Sequence, residues 1–251
     1  VFLMSGEAHL PYLAVSLMAL RRHWQEEVCV YAYPQSHRLA VRLCNDSRLS
    51  IPVRLWEPTD LNKNSQFRNK ILLMQQIEAE CGLYLDADTM VNADLDHLFY
   101  LAETAGFAAT QFNDWVSNSG VIKNRISRLV GRPSIPQRNV EHILSAPFPS
   151  LNGGVFACQR NSKVLQTWYE WTNSVNNIFI PDETCLHVLQ DYYPSSSFLV
   201  AGGGQWNCSP KHKPKSLPDE CVNIWHFHGD SNVRPQKSRK GYDLRWPEFQ
   251  K

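Results

Sequence analysis

Residues 80–99 read ECGLYLDADTMVNADLDHLF, and the fold turns on how this stretch is read. Leu83, Tyr84 and Leu85 make a short apolar run of the kind used by a strand buried on both faces, and the run stops at Asp86. Asp88 follows with one residue between, so in an extended chain both carboxylates point the same way. Two such carboxylates repel each other unless a cation lies between them. The carboxyl edge of an open α/β sheet is also where ligands bind. The pair therefore reads as a divalent metal site. A chain of this length holds roughly one D-x-D by chance, and a second pair, Asp94 and Asp96, follows at once. That pair stands at the start of a helix, where acids complement the helix dipole.

Upstream, strand and helix alternate four times. VFLM at 1–4 reads as a strand ending at Ser5, Gly6 and Glu7, followed by helical spacing over 11–23 behind a proline suited to a first turn. Residues 28–33 read as a second strand, 38–45 as a short helix and 51–56 as a third strand. A helix over 65–80, with Phe67, Ile71, Leu72 and Met74 turned inward, leads back to the Asp86 strand. This alternation predicts an α/β fold with a doubly wound, mostly parallel sheet, and it places Ser5 to Glu7 at the same edge as Asp86. Beyond Leu101 the pattern loosens. Strands are expected at 106–112, 151–159, 197–201 and 221–227, and helices at 140–145, 162–175 and 181–189. The long polar stretch 113–149 suits recognition.

Composition narrows the rest. The chain has 251 residues, 43% hydrophobic and 20% charged, enough for one α/β domain with an elaborated C-terminal part. A net charge of +1 gives no general attraction to nucleic acid or to an anionic membrane, so anion recognition must be local. No apolar run reaches the 18 residues a membrane span needs. The seven cysteines, at 29, 44, 81, 158, 185, 208 and 221, show no C-x-x-C pairing. Reduced, buried thiols and a cytoplasmic setting are expected, while the start at Val1 leaves an upstream signal or anchor open. Asn45-Asp46-Ser47 and Asn207-Cys208-Ser209 match the N-glycosylation pattern, which short sequences often do by chance.

Around the D-x-D, further blocks fall in order. Lys70 precedes Asp86 by sixteen residues, Thr89 and the stretch Asn92 to Phe99 follow it, and Asn152-Gly153-Gly154-Val155-Phe156 lies further on. Asp182-Glu183 comes about thirty residues later, and His226-Phe227-His228-Gly229 precedes Arg234-Pro235. In this order and spacing the chain resembles a GT-A nucleotide-sugar glycosyltransferase, closest to the glycogenin-like family 8. The resemblance implies a GT-A fold over 1–251, with residues 1–112 as the nucleotide-binding half and 113–251 as the sugar and acceptor half. It implies retaining transfer of a hexose from a nucleotide-diphosphate sugar, a UDP-sugar above all, to a glycan, protein or small-molecule acceptor.

Residue by residue, the resemblance assigns Asp86, Asp88 and His226 to Mn²⁺ or Mg²⁺, an imidazole shifting the preference toward Mn²⁺. It assigns Ser5, Gly6, Glu7, Lys70 and Arg234 to nucleoside and phosphates. Asn152, Gly153 and Asp182 fall to the donor sugar, and Asp182 with Glu183 to catalysis. Three departures matter. Glu183 stands where the family has Gln, the loop before Arg234 is longer, which makes Lys237 an alternative phosphate contact, and His228 shares a face of the extended chain with His226. The residues alone do not choose between the two histidines; the motif match selects His226.

Two other readings compete. LYLDADT also fits the haloacid-dehalogenase phosphatase signature, with Asp86 as nucleophile, though that signature normally opens its domain and a late second acid is missing. The other is a catalytically silent nucleotide-sugar-binding relative. Sugar-1-phosphate nucleotidyltransferases want a Gly-rich loop after the first strand, which MSGEAHLP does not supply. Trp115, Trp206, Trp225 and Trp246 read as core or rim residues, and Lys211, Lys213 and Lys215 as a solvated turn.

Overall fold

The computed structural model describes residues 1–57 and 65–227, so His228, Arg234, Lys237 and Trp246 lie outside the described residues. The first half follows the alternation of its sequence. Strands β1 (Phe2–Met4), β2 (Val30–Ala32) and β3 (Val53–Leu55) pair in parallel in that order. Helices α1 (Leu10–Leu20) and α2 (Pro34–Cys44) connect them, each with proline in its first turn, where the missing N–H is not needed. Helix α2 thus begins four residues earlier than its apolar spacing suggested. Helix α3 (Ser65–Gln75) buries Ile71, Leu73 and Met74, while Leu72 is only partly buried and Phe67 lines a cleft. Strand β4 (Cys81–Leu85) is tied to the start of β1, the Val1 amino group donating to the Leu83 carbonyl at 2.7 Å and the Leu85 N–H to that of Val1 at 3.0 Å.

The second half departs from simple parallel winding. Strands β6 (Phe107–Val116) and β7 (Pro149–Gln159) are antiparallel, and β7 also runs against β4, in the order β4-β7-β6-β8 with β8 (Leu199–Ala201) parallel to β6. The reason lies in the connection. Val116 pairs with Pro149, so the chain leaves β6 and enters β7 at the same edge. The intervening excursion holds α5 (Gly120–Ile126), which the sequence did not signal, and α6 (Gln137–Ser145). The four-stranded sheet is therefore mixed, within the expected α/β class.

Two short strands, β5 (Thr89–Val91) and β9 (Ile224–His226), pair antiparallel with Thr89 opposite His226. Three residues between Asp88 and Asn92 carry too little periodicity to announce β5. The Asp94 carboxylate accepts the Asp96 N–H at 2.6 Å at the start of α4 (Asp96–Ala105), where the dipole argument places acidic residues.

The core centres on β7. The Phe156 ring lies 5.2 Å from Tyr84 and 5.8 Å from Phe107, and Trp168 meets it edge-on at 4.9 Å. Trp168 belongs to α7 (Lys163–Ser174) and is fully buried. Its indole N–H donates to the Asp182 carbonyl at 2.9 Å, anchoring the start of α8 (Pro181–Tyr192). Apolar packing and the placement of Asp182 are thus one interaction. Trp168→Ala should lower unfolding free energy by about 3–5 kcal/mol, read from a lower urea midpoint at unchanged slope.

Candidate active site

Asp86 follows the last residue of β4, and its N–H donates to the Gly154 carbonyl on β7 at 2.8 Å. Thr89 then bonds back to the Asp86 carbonyl through its N–H at 3.1 Å and its hydroxyl at 2.8 Å. This turn leaves Asp88 beside Asp86. The Phe227 N–H donates to the Asp88 carbonyl at 3.0 Å, so the β5–β9 pairing carries His226 to the same place. His226 Nε2 lies 3.3 Å from Asp88 Oδ1 and 3.6 Å from Asp86 Oδ2. Both carboxylates are about 30% exposed, whereas His226 is buried.

Ligand atoms from the three residues lie within 4.8 Å of one another. Bonds of about 2.1 Å to one divalent ion would set such atoms roughly 3–4 Å apart, so the set fits a cation with two hard oxygens and one imidazole. The imidazole is oriented from behind. His226 Nδ1–H donates to Asn207 Oδ1 at 2.8 Å, which turns Nε2 toward the carboxylates. The amide order of Asn207 follows from its neighbours, for its Nδ2 donates to Thr110 Oγ1 at 2.9 Å and to Asn152 Oδ1 at 3.3 Å. Asn152 Oδ1 in turn accepts the Gly154 N–H at 2.7 Å. Burial alone would lower the His226 pKa; Asp88 and Asp86 outweigh it and hold the imidazole above its usual value.

Across β7 sits a second group. Lys70 Nζ pairs with Asp182 Oδ2 at 2.6 Å, both residues being buried. Burial works against the ammonium, but the charges of Asp182 and Asp86 outweigh it and keep Lys70 protonated. Glu183 accepts from Asn152 Nδ2 on one oxygen and from Arg125 Nη1 at 3.1 Å on the other. These donors favour the carboxylate, yet burial and the adjacent Asp182 oppose them, and its pKa is pushed up to about 7. Gly153 passes between the two groups, where an added Cβ would lie 3.0 Å from Lys70 Nζ. At Gly154 a Cβ would come within 2.2 Å of His226 Cε1 and 2.5 Å of Asp86 Oδ2, so only glycine lets the strand run this close.

A cleft of about 210 Å³ opens beside the carboxylates, lined by Leu3, Ser5, His9, Phe67, Lys70, Tyr84 and Asp86 to Asp88. Ser5 thus stands where the sequence put it, with Gly6 partly exposed and Glu7 exposed. His9 and Phe67 were not foreseen; a lone histidine in a first helical turn gives no signal of its own. Asn207 and Arg125 were missed as well. Asn207 instead looked like a glycosylation acceptor, but it is fully buried. A larger cavity, about 470 Å³, lies at the other ends of the strands beside Val1, Trp24 and Phe99, away from all these groups.

Neither a protein-family model nor a curated protein matches this sequence. Solved structures do. Mouse xyloside xylosyltransferase 1, in its apo form, superposes with a TM-score of 0.58 at 13% identity, over 91% of this chain and 97% of that one. The galactosyltransferase LgtC, in complex with donor and acceptor sugar analogs, gives 0.58 at 14% identity over 91% and 87%. The apo bifunctional glycosyltransferase WbbM gives 0.61 at 12% identity, over 91% of this chain but 45% of the longer protein. The fold is GT-A. In this GT-A chain, three parallel strands precede the one that bears Asp86, so the D-x-D does not open the domain as the dehalogenase signature does. Among the described residues no helix is long and apolar enough to cross a membrane. All seven cysteines are free, five of them buried.

Two outcomes follow from this geometry. Gly154→Ala and Asn207→Ala should each weaken Mn²⁺ binding by roughly 10–100-fold, measured by the free-Mn²⁺ signal in electron paramagnetic resonance. Glu183, whose pKa is raised on folding, favours the folded state most below its unfolded value and loses that contribution as pH rises toward about 7. Glu183→Gln should therefore gain in thermal midpoint relative to wild type between pH 5 and pH 8 in metal-free buffer; a difference that shrinks with pH would refute the raised pKa.

Proposed function

We propose that this chain is a metal-dependent, retaining glycosyltransferase that moves a hexose from a UDP-sugar to a glycan, protein or small-molecule acceptor. One observation carries the reading: Asp86, Asp88 and His226, drawn from sequence positions some 140 residues apart, converge at the mouth of a cleft whose other walls include Ser5 and Lys70. In this reading the three residues hold Mn²⁺ or Mg²⁺, and the bound ion supplies a Lewis acid for the leaving diphosphate.

The chain's own groups do the rest. Ser5, Gly6 and Glu7 hold the nucleoside beside His9 and Phe67. Lys70 has three donors, so it can keep Asp182 and still offer a proton to a phosphate oxygen in the cleft. Arg234 and Lys237, in the tail, are assigned to the phosphates by sequence. Asn152, Gly153 and Asp182 orient the sugar hydroxyls, and Trp168 fixes Asp182 from below. Glu183, ionised in a substantial fraction near neutral pH, places negative charge where positive charge develops at the anomeric carbon. Asp182 and Glu183 are thus the proposed catalytic pair.

Titration calorimetry with UDP tests the reading directly. Binding should need Mn²⁺ and vanish in chelator, and His226→Ala should slow Mn²⁺-dependent hydrolysis of a UDP-hexose by about tenfold or more with the fold intact. Equal UDP affinity with and without chelator would sink it.

A further inference from the structure

We propose that the open face of Phe179 is an acceptor subsite that stacks a neutral pyranose ring, with Arg125 fixing the aromatic plane from the opposite face. The inference rests on the glycosyltransferase reading and adds to it where the acceptor sits.

Phe179 is 58% exposed, although the residues that follow it, Pro181 and Asp182, are buried. The chain changes from exposed to buried through Ile180, whose φ of 50° and ψ of 62° put a β-branched residue in the left-handed region. That conformation is unfavourable for such a side chain, at a cost of about 1–3 kcal/mol, and persists only where its surroundings enforce it. Here the Ile180 carbonyl accepts both the N–H of Thr184, at 3.2 Å, and its hydroxyl, at 2.7 Å. The result is a fixed turn that directs Phe179 outward and Asp182 inward.

The ring is also held in place. The Arg125 guanidinium carbon lies 5.7 Å from its centroid, a cation–π arrangement that covers one face. The same guanidinium donates to Glu183 Oε2 at 3.1 Å, so the exposed ring is one residue's reach from the proposed catalytic carboxylate. Four residues before Arg125 on α5, Val121 is also 49% exposed. An aromatic ring left in water forgoes about 1.5–3 kcal/mol of burial; a rigid ring with one open face beside a reactive centre is suited to the C–H face of a sugar. Because Glu183 already neutralises Arg125, the surface does not call for an acidic sugar. The excursion between β6 and β7 supplies Arg125, which gives that insertion a purpose.

Saturation-transfer NMR tests this without knowledge of the natural acceptor. Wild-type protein with Mg²⁺, UDP and methyl β-glucoside, β-galactoside or β-xyloside in one tube should show transfer to UDP and to at least one pyranoside. Phe179→Ala should lower the pyranoside signal threefold or more relative to the UDP signal of the same tube, and Phe179→Tyr should restore it. Tyr100→Ala, which removes an equally exposed ring from α4, should change neither ratio. A pyranoside-to-UDP ratio unchanged in Phe179→Ala, or no pyranoside signal in wild type beside a clear UDP signal, overturns the subsite alone. No UDP signal in wild type overturns the subsite together with the functional reading on which it rests.

Discussion

Everything at the site depends on how closely the backbone of β7 passes the turn after β4. Gly154 bonds to the Asp86 N–H with its carbonyl and to the Asn152 side chain with its own N–H, and no side chain separates it from His226 or Asp86. That contact lets a buried imidazole approach two carboxylates that would otherwise repel each other. The strand is inflexible for a reason remote from the chemistry. Its next residues, Val155 to Cys158, are fully buried, and Phe156 is locked among Tyr84, Phe107 and Trp168.

From Gly154 a line of hydrogen bonds runs both ways. It passes through Asn152 and Asn207 to His226 on one side, and through Asn152 to Glu183 and Arg125 on the other. Each amide is oriented by a neighbour whose donor or acceptor role is fixed, ending at a backbone N–H. Amides oriented in this way specify one arrangement, because a flipped amide leaves a donor facing a donor. The orientation of His226 and the environment of Glu183 are therefore coupled through one Asn152 side chain. The Lys70–Asp182 pair, buried beside them, adds a charge pair that neither partner could keep alone.

The two halves of the chain meet this constraint differently. Parallel winding of β1 to β3 brings Ser5 to the carboxyl edge, the ordinary place for a ligand in such a sheet. The antiparallel return into β7 then lets the chain make a 32-residue excursion at that same edge, from which α5 lends Arg125. Loop residues would otherwise have to reach the site unsupported. Here a strand pair carries the excursion at both its ends.

The sequence by itself determined the elements that repeat a local pattern: the β–α alternation of the first half, the buried run that ends at Asp86, and the helix start marked by Asp94 and Asp96. It also marked Asp86, Asp88, His226, Lys70, Asn152, Asp182 and Glu183, through residue type and order along the chain. Only the tertiary structure decided what those residues touch. The antiparallel direction of β7 follows from where an excursion begins and ends, and no local periodicity encodes that. Strand β5 is too short to show a period. Asn207 is a generic polar residue whose value comes from three partners far away in sequence, and Arg125 is one basic residue among several until Phe179 and Glu183 close around it. Local patterns are set by neighbours a few residues away, whereas hydrogen-bond partners and electrostatic surroundings are set by packing across the whole chain.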